Sequence, residues 1–142
     1  RFDERGVPLV LHAGDYCAPF VLGPFGYAGI PLVGVFGRND GDRDGLRTYA
    51  ASLPAGGELF VGPHSLDLDG HAVLLVHDPA DVPLRSLEAH AVVLYGSTHE
   101  AEMAERGRTL LVNPGEACGW LTGAPSGAVL DLDARRVEFL TL

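Results

Sequence analysis

The sequence predicts an α/β fold of layered, mixed sheets, and three observations carry that expectation. In the first half, short apolar runs that read as buried strands alternate with segments of helical pattern. In the second half, almost every apolar run is strand-like. Four strands also end on polar corners: Gly14-Asp15, Gly37-Arg38-Asn39-Asp40, His77-Asp78 and Gly96-Ser97-Thr98-His99. In α/β sheets the carboxyl ends of the strands are where ligands bind.

The elements follow in order. Gly6 to Ala13 is a short apolar run that stops at Gly14 and reads as a buried strand. Ala18 to Phe25 has a helical pattern weakened by Gly23 and Pro24. Ile30 to Phe36 is a second buried strand, ended by Gly37. Across Asp42 to Leu53, Leu46, Tyr49, Ala50 and Leu53 share one helical face. Leu59 to Val61 is a short strand. Ser65 to Leu68 and His71 to Val76 flank Asp69-Gly70, a pair that suits a tight hairpin turn. Pro83 to Ala89 reads as a short helix and Ala91 to Tyr95 as another buried strand. Thr109 to Val112 runs into the turn residues Asn113-Pro114-Gly115. Gly127 to Leu132 and Arg136 to Leu140 form a last hairpin about Asp133-Ala134. A single domain over 1–142 is expected, with no repeat or linker.

Composition narrows the function classes. Ten basic residues, all Arg, stand against 19 acidic ones, for a net charge of −9. The all-Arg set reads as codon bias in a GC-rich genome. So acidic a chain lacks the general basic field a nucleic-acid binder needs. It is compatible with a small phosphate-bearing substrate held by metal ions, because bound cations invert local electrostatics. No apolar run approaches the roughly 20 residues of a membrane span. Cys17 and Cys118 have no metal-site spacing and read as free thiols in a reducing, cytoplasmic setting.

The four corners suggest a chemistry. Asp15 can bridge two metals, and His77 and His99 can each lend an imidazole nitrogen. Mixed oxygen and nitrogen donors suit Mn²⁺, Fe, Zn²⁺ or Ni²⁺ better than Ca²⁺. Two such ions about 3.5–4 Å apart can clamp a phosphate and activate water for in-line attack. The ordered set Leu-His-Ala-Gly-Asp (11–15), Gly-Arg-Asn-Asp-Gly-Asp (37–42), Val-His (76–77), Gly-Ser-Thr-His-Glu (96–100) and Asn-Pro-Gly-Glu-Ala-Cys-Gly (113–119) resembles the YfcE-like metallophosphodiesterases of the calcineurin-like phosphoesterase superfamily.

The resemblance covers nearly the whole chain and implies a four-layer α-β-β-α sandwich with a dinuclear site at one sheet edge. It further implies a metal-dependent phosphodiesterase acting through metal-activated water on a small phosphate ester. A divalent transition metal, Mn first, would be the cofactor; members often form homo-oligomers. Asp15 would bridge the metals, His99 would serve the first and His77 the second. Asp40 matches the acid that supports the catalytic site.

Two positions depart from the family pattern. Arg38 stands where the family has a liganding Asn, and Ser97 where it has a liganding His, so the second metal site is expected to be weakened. Asn39 is one residue late for the Asn role and would point elsewhere unless its loop shifts; it remains a substrate-binding candidate. Arg38 has two readings. One is a solvated loop residue. The other is a guanidinium that enters the vacated metal space and pairs with Asp15 or a substrate phosphate, which makes it both a catalytic and a substrate-binding candidate. Asp78 replaces a family Gly after His77. His12 reads as a wall of the core, and Glu116 and Cys118 as structural. The family's opening Asp-x-His is absent, and Phe2-Asp3-Glu4 resembles the end of the helix that follows it. One N-terminal βα unit is therefore expected to lie upstream of Arg1. The rival expectation is a catalytically degenerate relative kept as a binding or interaction module.

Overall fold

A computed structural model of the chain describes residues 2–142. Three parallel strands, β1 (Val10–His12), β2 (Leu32–Val35) and β3 (Gly57–Phe60), form one sheet in that order. A second sheet has β4 (His64–Leu68), β5 (His71–Leu75), β6 (Val92–Leu94), β8 (Thr109–Pro114) and β7 (Ala101–Arg106) side by side. The runs β5-β6-β8 are parallel and both edge strands are antiparallel to their neighbours. The hairpin β9 (Ser126–Asp131) and β10 (Arg136–Thr141) pairs only with itself among the described residues. Helices α1 (Gly23–Ala28) and α2 (Arg43–Ala51) belong to the first half, and α3 (Leu84–Glu88) joins β5 to β6.

Period-two alternation in these strands separates three apolar cores. Val10, Leu32 and Leu59 pack with Leu46, Ala50 and Leu53 of the α2 region, which joins the helices to the first sheet. Leu11, the next residue along β1, turns to the other side. There it meets Val73, Val92, Leu110 and Val112, together with Leu130 and Val137 of the hairpin. Leu74 and Val93 alternate again and pack on Leu87 of α3. The layers therefore run helix, sheet, sheet, helix, the four-layer α-β-β-α sandwich.

Most elements fall where the sequence places them, and three differ, two of them for a physical reason. The first helix was expected over Ala18 to Phe25. Instead a 3₁₀ turn occupies Pro19–Leu22 and the α-helix begins at Gly23, because Pro24 fits the first turn of a helix, where its missing N–H costs nothing. Strand β7 was not expected at all. All six of its residues are exposed, so no apolar alternation marks it. Phe2-Asp3-Glu4, expected as a helix end, meets a 3₁₀ turn over Asp3–Arg5; Arg1 lies outside the described residues. The hairpin at Asp69-Gly70 matches expectation, with φ of 53° and 85° at the two turn residues. Among the described residues no helix is long and apolar enough to cross a membrane.

Candidate metal centre

The ends of β1, β2, β5 and β6 bring their corners to one edge, with Asp15 in the middle. Asp15 has φ of 62° and His99 has φ of 63°, left-handed conformations that non-glycine residues rarely adopt. Such strain gathers where surrounding structure holds a side chain in a set direction. Asp40 supplies much of that hold. Its buried carboxylate accepts the backbone N–H groups of Asp15 (3.1 Å), Cys17 (2.9 Å) and Gly37 (2.7 Å). Gly37 passes so close that a Cβ there would collide with the Asp15 carboxylate and backbone nitrogen. The β1 and β2 corners are thus pinned together by one side chain and one missing side chain.

Asp15 Oδ2 lies 3.6 Å from His77 Nε2 and 4.0 Å from His99 Nε2. His77 Nδ1 is 2.9 Å from the Ala13 carbonyl oxygen, which can only accept, so Nδ1 carries the proton. In the neutral ring Nε2 is then an acceptor facing a carboxylate oxygen, an arrangement that suits a cation between the two. Asn39 also reaches Asp15. Its backbone N–H donates to Oδ1 and its side-chain amide to Oδ2, both at 2.9 Å. Burial pushes the Asp15 carboxyl up, but the Asn39 hydrogen bonds, helped by His77 and His99, outweigh it and hold the group below its ordinary value.

Asp15, His77, His99 and Asn39 are therefore brought together, and Asp40 sits behind them. Arg38 is not part of this group; of its two readings, pairing with Asp15 is not the one seen, and its side chain is 63% exposed. Its Nη2 lies 2.7 Å from Asp78 Oδ2 and 3.7 Å from Asp81 Oδ2. Asn39 corrects its own expectation in the opposite sense, since the loop does turn it toward Asp15. Ser97 donates its backbone N–H to the His77 carbonyl at 3.0 Å. Asp78 is thus the partner of Arg38, a pairing the sequence alone did not predict. A signal existed: Arg38 and Asp78 replace family residues at two corners with opposite charges.

Metal–donor distances near 2.0–2.2 Å mean that two ligand atoms on one ion lie no more than about 4.3 Å apart. Both Asp15–His separations satisfy that limit. Moreover, the Ala13 carbonyl orients His77 as outer partners of metal-bound imidazoles do. Each Asp15–His pair is thus spaced so that its two atoms could share one divalent cation. Arg38, turned to Asp78, and Ser97, which has no imidazole, add no ligand to these pairs. Among the described residues no group of three or more His, Cys, Asp or Glu side chains stands arranged to hold a metal ion.

Two other expectations hold. His12 is a wall of the core: it stacks on Tyr16 at 4.1 Å, and burial lowers its pKa to about 4. Cys17 and Cys118 are free thiols.

A profile of the calcineurin-like phosphoesterase superfamily domain matches residues 1–135, and the chain belongs to that superfamily. Its members generally use divalent metals. Phosphodiesterase MJ0936 of Methanocaldococcus jannaschii is 29% identical over 99% of this chain and 86% of its own length. The solved structure of an archaeal phosphodiesterase superposes with a TM-score of 0.89 at 28% identity, covering 99% of this chain and 87% of that one. Vacuolar protein sorting 29 of Cryptosporidium parvum shares the fold, with a TM-score of 0.63 at 19% identity over 99% of this chain and 86% of its own.

Proposed function

We propose that the protein is a metal-dependent phosphodiesterase that hydrolyses a small phosphate ester. The observation that carries this reading is the approach of His77 Nε2 and His99 Nε2 to one Asp15 oxygen at the strand ends, with His77 Nδ1–H donating to the Ala13 carbonyl. Asp15, His77 and His99 would hold a divalent transition metal, Mn²⁺ first and Ni²⁺, Zn²⁺ or Fe as alternatives. Such an ion supplies Lewis acidity, neutralising phosphate charge and making water a better nucleophile. The protein's own groups do the positioning. Asp40 fixes the Asp15 backbone from behind. The Asn39 amide, 2.9 Å from Asp15 Oδ2, is placed to turn one donor to a phosphate oxygen. The net charge of −9 favours a small substrate over a nucleic acid.

The test is hydrolysis of bis(p-nitrophenyl) phosphate with and without Mn²⁺. Mn²⁺-stimulated turnover that falls at least about 100-fold in Asp15→Asn is expected, because that change removes the shared carboxylate charge. Turnover equal to background with Mn²⁺, or undiminished in Asp15→Asn, overturns the reading.

A second reading has its own observation. Arg38 is diverted to Asp78, and Ser97 stands in place of a ligand, which suits a relative that keeps the fold as an interaction module. Elemental analysis of the purified protein separates the two readings. A near-stoichiometric transition metal supports the enzyme and its absence supports the module.

A further inference from the structure

A cleft of about 210 Å³ opens between the loops that follow β2, β3 and β5. His77 lines it, so it adjoins the place where the phosphate would sit. Phe36, Val61, Pro63 and Val76 give it apolar walls, and Arg38 and Asp78 stand at its charged side. We infer that this cleft holds one neutral, single-ring ester group of a phosphodiester, with the Arg38–Asp78 pair strapped across it. The inference rests on the proposed phosphodiesterase reading and names the substrate class for that site.

Size sets the first limit. Pockets that enclose a whole drug-sized ligand have roughly 300–1,000 Å³. A cavity of about 150 Å³ accepts a benzene ring. The cleft therefore suits a ring and its linking atom, and a ring joined to a sugar exceeds it. Charge sets the second limit. Two arginines, Arg38 and Arg43, face two aspartates, Asp78 and Asp81, so the formal charges cancel. Neither cation is free. Arg43 donates to the carbonyls of Asp40 and Gly37 and lies 5.1 Å from the centre of the Phe36 ring. Arg38 is committed to Asp78 at 2.7 Å. In a lining whose formal charges cancel, a further anionic group on the substituent would meet Asp78 and Asp81 as well as the arginines and gain no net attraction, whereas an apolar ring would cover Val61, which is 64% exposed.

The ion pair ties two strand-end loops together across the cleft. The Asp78 side chain is only 17% exposed and also accepts the Ala80 N–H at 2.9 Å, so Arg38 grips a fixed anchor. This gives the paired departures at Arg38 and Asp78 a shared purpose: they wall a substituent site beside the residual metal centre.

Calorimetric titration with phenylphosphonate, methylphosphonate and 4-carboxyphenylphosphonate in the presence of Mn²⁺ tests the inference without turnover. Phenylphosphonate is expected to bind about tenfold more tightly than methylphosphonate, from burial of the ring. The added carboxylate is expected to remove that advantage, as is Val61→Trp, which fills the cleft from an exposed position. Equal affinities for the phenyl and methyl compounds overturn the inference and leave the phosphodiesterase reading standing. So does a phenyl advantage that survives Val61→Trp or the added carboxylate. Binding of none of the three overturns both.

Discussion

Asp40 shows how much one side chain can organise. Its two oxygens accept three backbone N–H groups from two different corners, and the residue is 5% exposed. Asp40→Asn would turn one acceptor into a donor facing those amides. The expected cost is about 3 kcal/mol, from buried donors left unpaired, read by urea unfolding. A loss under about 1 kcal/mol would show that the corners do not depend on it. At this scale the sequence was only partly legible. Asp15, His77 and His99 could be found because each follows a strand within a recognisable run. The partners of Arg38 and Asn39 could not, because adjacent loop residues exchange directions through backbone torsions that leave no residue pattern. Only the opposite charges introduced at 38 and 78 hinted at the outcome.

Among the elements, α2 is the one that the sequence specified most fully. Asp42 caps it by accepting the Gly45 N–H at 2.9 Å, and Leu46 and Ala50 turn inward at 0% exposure. That helix follows directly on the β2 corner, so its seat on the first sheet helps set where Asp40 lies. Leu46→Ala is expected to destabilise the protein by about 2–5 kcal/mol through the cavity it leaves, measured by thermal or urea unfolding. β7 is the opposite case. Helical residues such as Ala101, Glu102, Met103 and Ala104 form an exposed strand because β8 offers them its open edge. Tertiary pairing overrides local preference there. The helix start at Gly23 shows the same limit, since Pro24 reads as a breaker unless its place in the first turn is known.

For the molecule as a whole, the depressed carboxyls set the response to acid. The Glu116 carboxylate is tucked under its own loop. Burial pushes its pKa up, but N–H groups of Leu121 and Thr122, the Cys118 thiol and the Thr122 hydroxyl bring it down from 4.5 to about 2. Asp15 is depressed as well. A folded value below the unfolded one means that the charged form favours the fold. That contribution is complete above about pH 4.5 and is lost as the pH falls toward 2. Tm is therefore expected to drop across that interval. Glu116→Gln should have a lower Tm at neutral pH and a shallower acid decline, checked by circular dichroism melts at stepped pH. The layered architecture itself was legible in advance, because alternating apolar residues must face a core on each side of a two-sided sheet. The four-layer order came with the family motifs, which tie each corner to a known strand.

The wholly exposed β7 has one more consequence. It closes the five-stranded sheet at one end with Glu102, Glu105 and Arg106 along a bare hydrogen-bonding rim. A neighbouring molecule that tried to extend the sheet there would have to bring its strand against three charged side chains, two of them acidic. The end of the sheet therefore guards against runaway strand-to-strand stacking at high concentration.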